Sequence, residues 1–280
     1  MPAKKALHLC LLLSLLAGAL LACSLVPGVS YSGTPVTAPS NTGGSPDTPP
    51  LDTWTQARAG VAIRYEHWKS AGNNEDTVTI TRFDPHSIHL SIGYRPDKPL
   101  NLSAWVKQTG AMASVNGGYF DEHNQATGLV ISNGNVTGTS YSGYGGMLAV
   151  DAQGTISLRS LHDQPYDPNS EQLLQATQST PMLIINGKRT NFSADAASKR
   201  RTVVAMDKQG RLLFIISPSQ AFSLDELADL LIDHAKTSDL NLQTALNLDG
   251  GSSTGMYLSA GSQKVTIDPI TPLPIVISIK

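Results

Sequence analysis

Short apolar runs separated by tight-turn signals recur between residues 128 and 216, and they constrain the fold more than any other feature of the chain. Asn133-Gly134 and Asn186-Gly187 are two-residue turns of the kind that joins antiparallel strands. Polar turns at 151–154 and 207–210 separate further apolar runs. The runs beside these turns are residues 128–132, 147–150, 155–158, 182–185, 202–206 and 211–216. The pattern predicts a succession of β-hairpins.

Two segments carry helix signals instead. Residues 101–112 are predicted to be helical with Asn101 or Ser103 as N-cap, and a capping box from Ser223 to Glu226 opens a helix from 224 to about 236. Charged residues are only 15% of the chain, and 24 Gly with 17 Pro favour strands and turns over a helical bundle. Further strands are predicted at 77–82, 87–94, 113–116, 256–260 and 274–279, with one more ending at Asp249. We therefore predict an α+β fold, a single domain with a twisted, mainly antiparallel β-sheet and a few packed helices.

Cysteine content and charge exclude several classes of protein. Both cysteines lie within the first 23 residues, so the remaining chain has no disulfide framework and no thiolate zinc site. The formal net charge is -2, aromatic residues are 6% of the chain, and no basic stripe is present. We therefore expect no nucleic-acid partner.

The N-terminus has the features of a targeting segment. Lys4 and Lys5 precede an apolar run over residues 6–22, which is short for a membrane span and typical of a signal peptide. The run ends in Leu20-Leu21-Ala22-Cys23, which resembles the lipobox of bacterial lipoproteins. The resemblance implies cleavage before Cys23 and a diacylglycerol on its sulfur. An ordinary secretory signal followed by a chance cysteine is the alternative.

Residues 24–50 are rich in Ser, Thr, Pro and Gly and nearly free of charge, a composition typical of a flexible tether. The predicted organisation is a signal peptide over 1–22, a lipidated cysteine and tether over 23–52, and a folded domain over 53–280. This organisation predicts an extracytoplasmic location in the bacterial cell envelope, with the membrane contacted through the lipid anchor.

Two similar glycine-pair stretches stand far apart in the chain. In residues 246–255 an apolar run ends at Asp249 and is followed by two glycines and three hydroxyl residues. In residues 114–121 an apolar approach is followed by a polar residue, two glycines and a carboxylate. Successive N–H groups in a glycine loop can bind an anion, and an ordinary Asp-Gly hairpin turn at Asp249-Gly250 is the alternative. We expect the two turns to meet around one small cleft.

Five motifs resemble, in this order, those of the phosphodiester glycosidase family, which includes the N-acetylglucosamine-1-phosphodiester α-N-acetylglucosaminidases. They are residues 116–121, 128–134, Arg201-Thr202, the helix over 223–234, and residues 247–252, within a similarity that spans about residues 105–258. The resemblance implies a hydrolase acting on a sugar joined through C1 to a phosphodiester. This chain departs from the family pattern at Ser252, where glycine is usual, at Tyr119, where Phe is usual, and in its apolar closing strand.

The resemblance also implies functional positions. They are Asn116, Gly117, Gly118, Asp121, Arg201, Asn247, Asp249, Gly250, Gly251, Ser252 and Thr254. We expect Asp249 to be the carboxylate at the sugar, as nucleophile or as base for water, and Asp121 to be a candidate second carboxylate. Arg201 is the expected phosphate partner, because its planar fork matches two phosphate oxygens.

The remaining substrate contacts are expected from the two turns. The Gly250 and Gly251 amides, with Ser252, Ser253 and Thr254, would form an anion cradle, beside Gly117 and Gly118. Asn116 and Asn247 would hold sugar hydroxyls or the attacking water. We expect no cofactor. A divalent cation near Asp249 and Asp121 stays open, although no ligand spacing matches a known loop.

Simpler interpretations remain for several of these residues. Arg201 has Lys199 and Arg200 as neighbours and can belong to a solvated basic cluster. Asp121 can be a loop cap, and His234 a packed histidine rather than a base.

Two alternative functions also follow from the residues. Gly251 to Gly255 formally fits the G-x-S-x-G elbow with Ser253 as nucleophile, but no histidine follows His234 and a strand rather than a helix is predicted next. The second alternative is a surface-anchored protein that binds a sugar phosphate or glycan without turnover.

Overall fold

The structure, a computed structural model, describes residues 50–193, 196–237 and 239–280, with only the backbone of 235–237. The predicted signal peptide, the predicted lipidation site Cys23 and nearly all of the predicted tether lie outside these residues. The described residues belong to one unit, Ser45–Lys280. Its elements are β1 (Thr55–Arg58), β2 (Val61–Lys69), β3 (Glu75–Phe83), β4 (Leu90–Tyr94), α1 (Leu102–Thr109), β5 (Ala113–Asn116), β6 (Val130–Ser132), β7 (Asn135–Thr137), β8 (Gly146–Asp151), β9 (Ile156–Ser160), β10 (Leu173–Ser179), β11 (Met182–Ile185), β12 (Lys188–Arg189), β13 (Lys199–Asp207), β14 (Leu212–Phe222), α2 (Leu224–Thr237), β15 (Leu242–Asn247), β16 (Met256–Ala260), β17 (Gln263–Ile267) and β18 (Ile275–Ile279).

The strands form three antiparallel sheets. The largest has the order β1-β2-β3-β14-β13-β15-β11-β12, and the five-stranded sheets have the orders β7-β6-β10-β8-β9 and β17-β16-β5-β18-β4. The α+β class and the single domain are thus confirmed, but the strands are divided among three sheets rather than one. Hairpin signals identify only neighbours in sequence, whereas β5 pairs with β16 and β18, which lie far away along the chain.

Two apolar cores hold the sheets and helices together. The larger core draws side chains from all three sheets, including Phe214 of β14, Leu148 of β8 and Ile277 of β18. The second core lies between the eight-stranded sheet and α2, where Trp68 and Leu231 are fully buried. Burying a side chain of this size stabilises the fold by about 1.5–3 kcal/mol each.

Both helices begin at the predicted signals. The Asn101 side chain accepts the Ala104 N–H at 2.9 Å, and α1 ends at Gly110 with φ of 67°. At the start of α2, Ser223 N–H donates to Glu226 Oε2 at 3.0 Å, and Glu226 N–H donates to Ser223 Oγ at 3.3 Å. The predicted capping box is therefore present, and it fixes where α2 starts beside the cavity described below.

His234 of α2 packs on the sheet beneath the helix. Its ring stacks on Trp68 with centroids 4.6 Å apart, and its Nδ1 lies 2.8 Å from Oε2 of the buried Glu66. The structure thus favours the packed-histidine interpretation of His234. Within the described residues, both helices are too short or too polar to cross a bilayer.

Candidate functional site

The two glycine-pair turns meet in space. The Asp249 N–H donates to the Gly117 carbonyl at 3.1 Å, and the Asn116 side-chain amide donates to the Asp249 carbonyl at 2.7 Å. Asn116 Oδ1 in turn accepts the Thr202 hydroxyl at 2.8 Å and the Gly255 N–H at 3.2 Å. Asn116 therefore ties the turns to each other through main-chain groups. The polar atoms of its side chain are hydrogen-bonded within the protein, so the expected contact of Asn116 with sugar hydroxyls is not supported.

Gly117 and Gly118 are needed for close packing rather than for an anion cradle. A Cβ on Gly117 would lie 2.3 Å from Ile275 Cγ2, and a Cβ on Gly118 would lie 2.1 Å from the Gln178 carbonyl oxygen. The turn thus packs so closely against Ile275 of β18 and Gln178 of β10 that a side chain larger than hydrogen would not fit at Gly117 or Gly118. Neither glycine lines the cavity beside Asp249.

The second glycine-pair turn forms hydrogen bonds to the carboxyl group of its own Asp249. Gly250 N–H donates to Asp249 Oδ1 at 2.8 Å, and the Ser253 side chain also bonds the Asp249 carboxyl. Gly251 has φ of +60°, a conformation that glycine adopts without strain. Two donors of the predicted anion cradle, the Gly250 N–H and the Ser253 side chain, are therefore bonded to the Asp249 carboxyl group.

Asp249 lies in a cavity of about 490 Å³. Its lining residues are Tyr119, Thr180, Pro181, Phe192, Ser193, Lys199, Arg201, Leu224, Asp249 and Gly250. Lys199 and Arg201 lie two positions apart at the start of β13, where the register with β14 shifts between them, and both line the cavity. The cavity is therefore bordered by two cations, one carboxyl group and several apolar side chains, a size and composition suited to a small anionic ligand.

Burial raises the pKa of Asp249 above the ordinary value for an aspartate, because desolvation penalises its charged form. The hydrogen bonds from Ser253 and from the Gly250 N–H act in the opposite direction but do not outweigh burial. A carboxyl group with a raised pKa in a cavity is a candidate for moving protons or attacking an electrophile.

Tyr119 places a neutral hydroxyl beside this carboxyl. The Asn247 side-chain amide donates to the Tyr119 hydroxyl at 2.7 Å and to the Thr180 carbonyl at 3.0 Å. Burial, and then the negative charge of Asp249, raise the pKa of Tyr119 to about 12. Because its oxygen accepts from Asn247 and its proton is retained at neutral pH, Tyr119 can act as a donor. Asn247 itself positions Tyr119 and does not line the cavity.

Arg201 is a buried cavity residue rather than a member of a solvated cluster. Its exposed fraction is 4%, and its Nε and Nη2 groups donate to the carbonyls of Phe222 at 3.1 Å and Ala197 at 2.8 Å. Arg200, one position earlier, donates instead to the carbonyls of Pro218 and Asp268. The two arginines thus have different partners, and of the two only Arg201 lines the cavity.

Asp121 is placed elsewhere. Its side chain is exposed, its Oδ1 accepts the N–H groups of His123 and Gln125 at 2.8 Å each, and it does not line the cavity. This geometry is that of a loop cap, so the expectation that Asp121 is a second carboxylate of the site is not supported. In the described part of the chain, no three His, Cys, Asp or Glu residues are grouped as metal ligands.

The remaining predicted residues divide between the cavity and its surroundings. Arg201, Asp249 and Gly250 line the cavity, and Ser253 reaches it through Asp249. Ser252 is exposed, Thr254 is fully buried, and strand β16 rather than a helix follows them, so the G-x-S-x-G elbow is not formed.

Sequence reasoning gave no role to several lining residues. These are Tyr119, Thr180, Pro181, Phe192, Ser193, Lys199 and Leu224. No local pattern identifies Lys199, because the register between β13 and β14 shifts between Lys199 and Arg201.

Solved structures show similar folds. The chain is similar to the catalytic domain of zebrafish N-acetylglucosamine-1-phosphodiester alpha-N-acetylglucosaminidase auto-inhibited by its pro-peptide, with TM-score 0.59 and 21% identity over 78% of this chain and 82% of that one. It is also similar to a hypothetical protein from Synechocystis, with TM-score 0.57 and 18% identity over 83% of this chain and 64% of that one. An exported protein from Burkholderia pseudomallei has TM-score 0.50 and 12% identity, with 74% of each chain covered.

These likenesses establish a shared fold, and no curated protein matches the chain. The phosphodiester glycosidase family, however, matches residues 109–274, which is more than half of the sequence and includes Asp249, Arg201 and Tyr119. The chain therefore belongs to the phosphodiester glycosidase family.

Proposed function

We propose that this protein is a hydrolase that releases a sugar from a sugar-1-phosphodiester in the cavity around Asp249. The observation that carries the proposal is a carboxyl group with a raised pKa in one cavity with two cations, in a chain of this family. The zebrafish relative is named for cleaving N-acetylglucosamine from such a diester. Which sugar this chain takes is part of the test below.

The cations account for phosphate recognition. The carbonyls of Phe222 and Ala197 orient the Arg201 guanidinium at the cavity wall, and Lys199 adds a second cationic side chain to the lining. A phosphodiester carries one negative charge, which cationic side chains at the cavity wall can bind.

The proposed reaction breaks the bond between sugar C1 and the phosphate oxygen. Positive charge develops on the sugar, and the Asp249 carboxylate either attacks C1 or takes a proton from the water that does. Water supplies the hydroxyl group at C1, and its proton ends on the released phosphate monoester. That leaving group is far more stable as an anion than an alkoxide, so a second carboxylic acid is not required. This is consistent with the position of Asp121 outside the cavity.

The test is hydrolysis of methyl phosphodiesters of α-linked N-acetylglucosamine, glucose and mannose by the domain over 53–280. Asp249→Asn should abolish release, while the matched control Asp121→Asn should retain the wild-type rate. Binding of a sugar phosphate by the wild type with no release of any sugar would favour the binding protein without turnover. Equal rates in wild type and Asp249→Asn would place the reaction elsewhere.

We also propose that the mature chain is anchored to the envelope through Cys23, since the sequence places a lipobox-like segment before a Ser/Thr/Pro/Gly-rich stretch. Such an anchor with a flexible tether would hold the domain close to a membrane surface. Radiolabelled palmitate should enter the full chain expressed in a bacterium and should not enter Cys23→Ala. Label in both variants, or in neither, would contradict lipidation at this residue.

A further inference from the structure

A loop outside the cavity presents two stacked aromatic rings. It spans residues 138–145 between β7 and β8 and carries Tyr141 and Tyr144, whose ring centroids are 4.9 Å apart with an interplanar angle of 26°. Tyr144 is 54% exposed. We call Tyr141 and Tyr144 the tyrosine platform. Single exposed apolar residues are normal on a protein surface, but an ordered stacked pair is a feature that needs an explanation.

The platform is held rigidly from beneath. Tyr141 N–H donates to Oε1 of Gln178 at 2.9 Å, and Gln178 Nε2 donates to the Ser140 hydroxyl at 2.7 Å. Gln178 is 2% exposed and belongs to β10. The Tyr141 ring also covers Gly128, where a Cβ would lie 2.9 Å from the ring. The loop is thus fixed to the sheet before any ligand arrives, which lowers the entropy lost on binding.

Two contacts place the platform next to the cavity. The hydroxyls of Tyr141 and Thr127 lie 2.7 Å apart, and Thr127 N–H donates to the carbonyl of Tyr119, a lining residue. Gly145 directly follows Tyr144, and a Cβ on it would lie 3.7 Å from Cβ of Thr180, another lining residue. The tyrosine platform therefore adjoins the two segments that carry Tyr119 and Thr180 at the cavity wall.

The chemistry of the loop suits a neutral sugar ring. Residues 138–145 are Gly, Thr, Ser and Tyr only, with no charged side chain. Tyrosine provides a rigid amphipathic surface at low entropic cost, and Ser and Gly supply adaptable hydrogen bonding, as in other binding loops. A pyranose ring has the matching features, an apolar C–H face and hydroxyl groups at its edge. An anionic ligand would instead favour the cations inside the cavity.

We propose that the tyrosine platform binds a second sugar ring, so that the substrate is an oligosaccharide-1-phosphodiester rather than a monosaccharide one. The proposal rests on the proposed function for the identity of the group in the cavity. Binding of a second sugar ring to the tyrosine platform can be tested separately, because it requires no turnover.

The experiment measures binding to the full domain carrying Asp249→Asn, by titration calorimetry with two pairs of probes. Each pair is a monosaccharide 1-phosphate and its disaccharide counterpart, N-acetylglucosamine with chitobiose and glucose with maltose. We expect at least one disaccharide to bind about tenfold more tightly than its monosaccharide, as one aromatic stacking contact provides. Adding Tyr144→Ala should remove this advantage, and Tyr144→Phe should keep it, because the ring face is retained.

Leu174→Ala, which shortens another exposed apolar side chain, is the matched control and should leave both affinities unchanged. A disaccharide advantage that persists in Tyr144→Ala, or no advantage for either pair, overturns the platform. Hydrolysis of monosaccharide phosphodiesters by the wild type would then still support the proposed function. Conversely, a disaccharide advantage lost in Tyr144→Ala but without hydrolysis by the wild type would support the platform and reject the hydrolase.

Discussion

The side-chain amide of Asn116 donates a 2.7 Å hydrogen bond to the carbonyl of Asp249, which lies 133 residues later in the chain. Asn116 is buried at the end of β5, and Asp249 lies two residues after the end of β15. The bond therefore joins the end of a strand in one sheet to the turn that follows a strand in another sheet. It sets the position of the Asp249 backbone and, through it, of the carboxyl group in the cavity.

Asn116→Ala is accordingly expected to affect stability and activity together. The change leaves the Asp249 carbonyl, the Thr202 hydroxyl and the Gly255 N–H without their Asn116 partner in a buried region. We expect a loss of about 2–4 kcal/mol in the free energy of unfolding, measured by urea denaturation. Asn135→Ala, at an exposed position of β7, is the control and should change this value by less than about 0.5 kcal/mol. An unchanged denaturation midpoint for Asn116→Ala would show that the bond has no structural role.

Local signals in the sequence were sufficient for some strands and insufficient for others. The predicted strands 113–116 and 182–185 coincide with β5 and β11. β2 was missed because Arg64 and Glu66 interrupt its apolar pattern, although both are buried as an ion pair with 2.6 Å between Nε and Oε1. β10 was missed for a similar reason, since its buried residues include Gln175 and Thr177. Polar residues that are buried with partners from distant segments cannot be recognised from local alternation.

The candidate site likewise has features that the sequence predicted and features that it did not. The sequence predicted that the two turns meet and that Asp249 and Arg201 share a cleft. This prediction came from the two similar glycine-pair stretches and from the family resemblance of the motifs. It did not predict that Asn116 is hydrogen-bonded to protein groups, or that the side-chain NH2 of Asn247 donates to Tyr119 and Thr180, since these partners come from distant segments. Roles that depend on which side of a turn faces the cavity require the tertiary structure.

Asp249→Asn should be inactive yet at least as stable as the wild type at pH 7. Burial raises the pKa of Asp249 in the folded state above its unfolded value, so the ionised carboxylate opposes folding at neutral pH. The neutral amide has no such effect. The difference in melting temperature between variant and wild type should therefore shrink as the pH falls through the folded pKa toward the unfolded one. Asp121→Asn, an exposed change, should show no such trend. A variant less stable than the wild type at pH 7 would contradict this account.

The pH dependence of kcat/KM should report the same ionisation. If Asp249 acts as a carboxylate, the rate falls as the pH drops through its pKa, and this pKa is raised by burial relative to an ordinary aspartate. The acid limb of the profile should therefore lie above the usual aspartate range. An acid limb within that range, or none, would indicate that Asp249 is not the ionising group that controls the rate.

Lys199→Ala tests whether the cations recognise phosphate. Lys199 is exposed at the cavity wall, so the loss of its charge should raise KM for a sugar-1-phosphodiester by up to about fivefold with little change in kcat. A neutral aryl glycoside of the same sugar carries no phosphate and should show no change in KM. Lys264→Ala, at an exposed position of β17, is the control. A similar rise in KM for both substrates would mean that Lys199 shapes the cavity instead of binding phosphate.

Tyr119→Phe removes one hydroxyl group from the cavity and keeps the ring. In the wild type the hydroxyl accepts from Asn247, and its pKa of about 12 keeps its own proton in place for donation. If that proton supports the departing phosphate oxygen, its loss should lower kcat by about tenfold for an alkyl phosphodiester. The loss should be smaller for an aryl phosphodiester, whose phosphate monoester is more acidic and leaves with less assistance. Tyr257→Phe, which does not alter the cavity lining, should leave both rates unchanged. An equal loss for the two substrates would show that the hydroxyl only orients Asn247 and the cavity wall, whereas a graded loss assigns it to the leaving group.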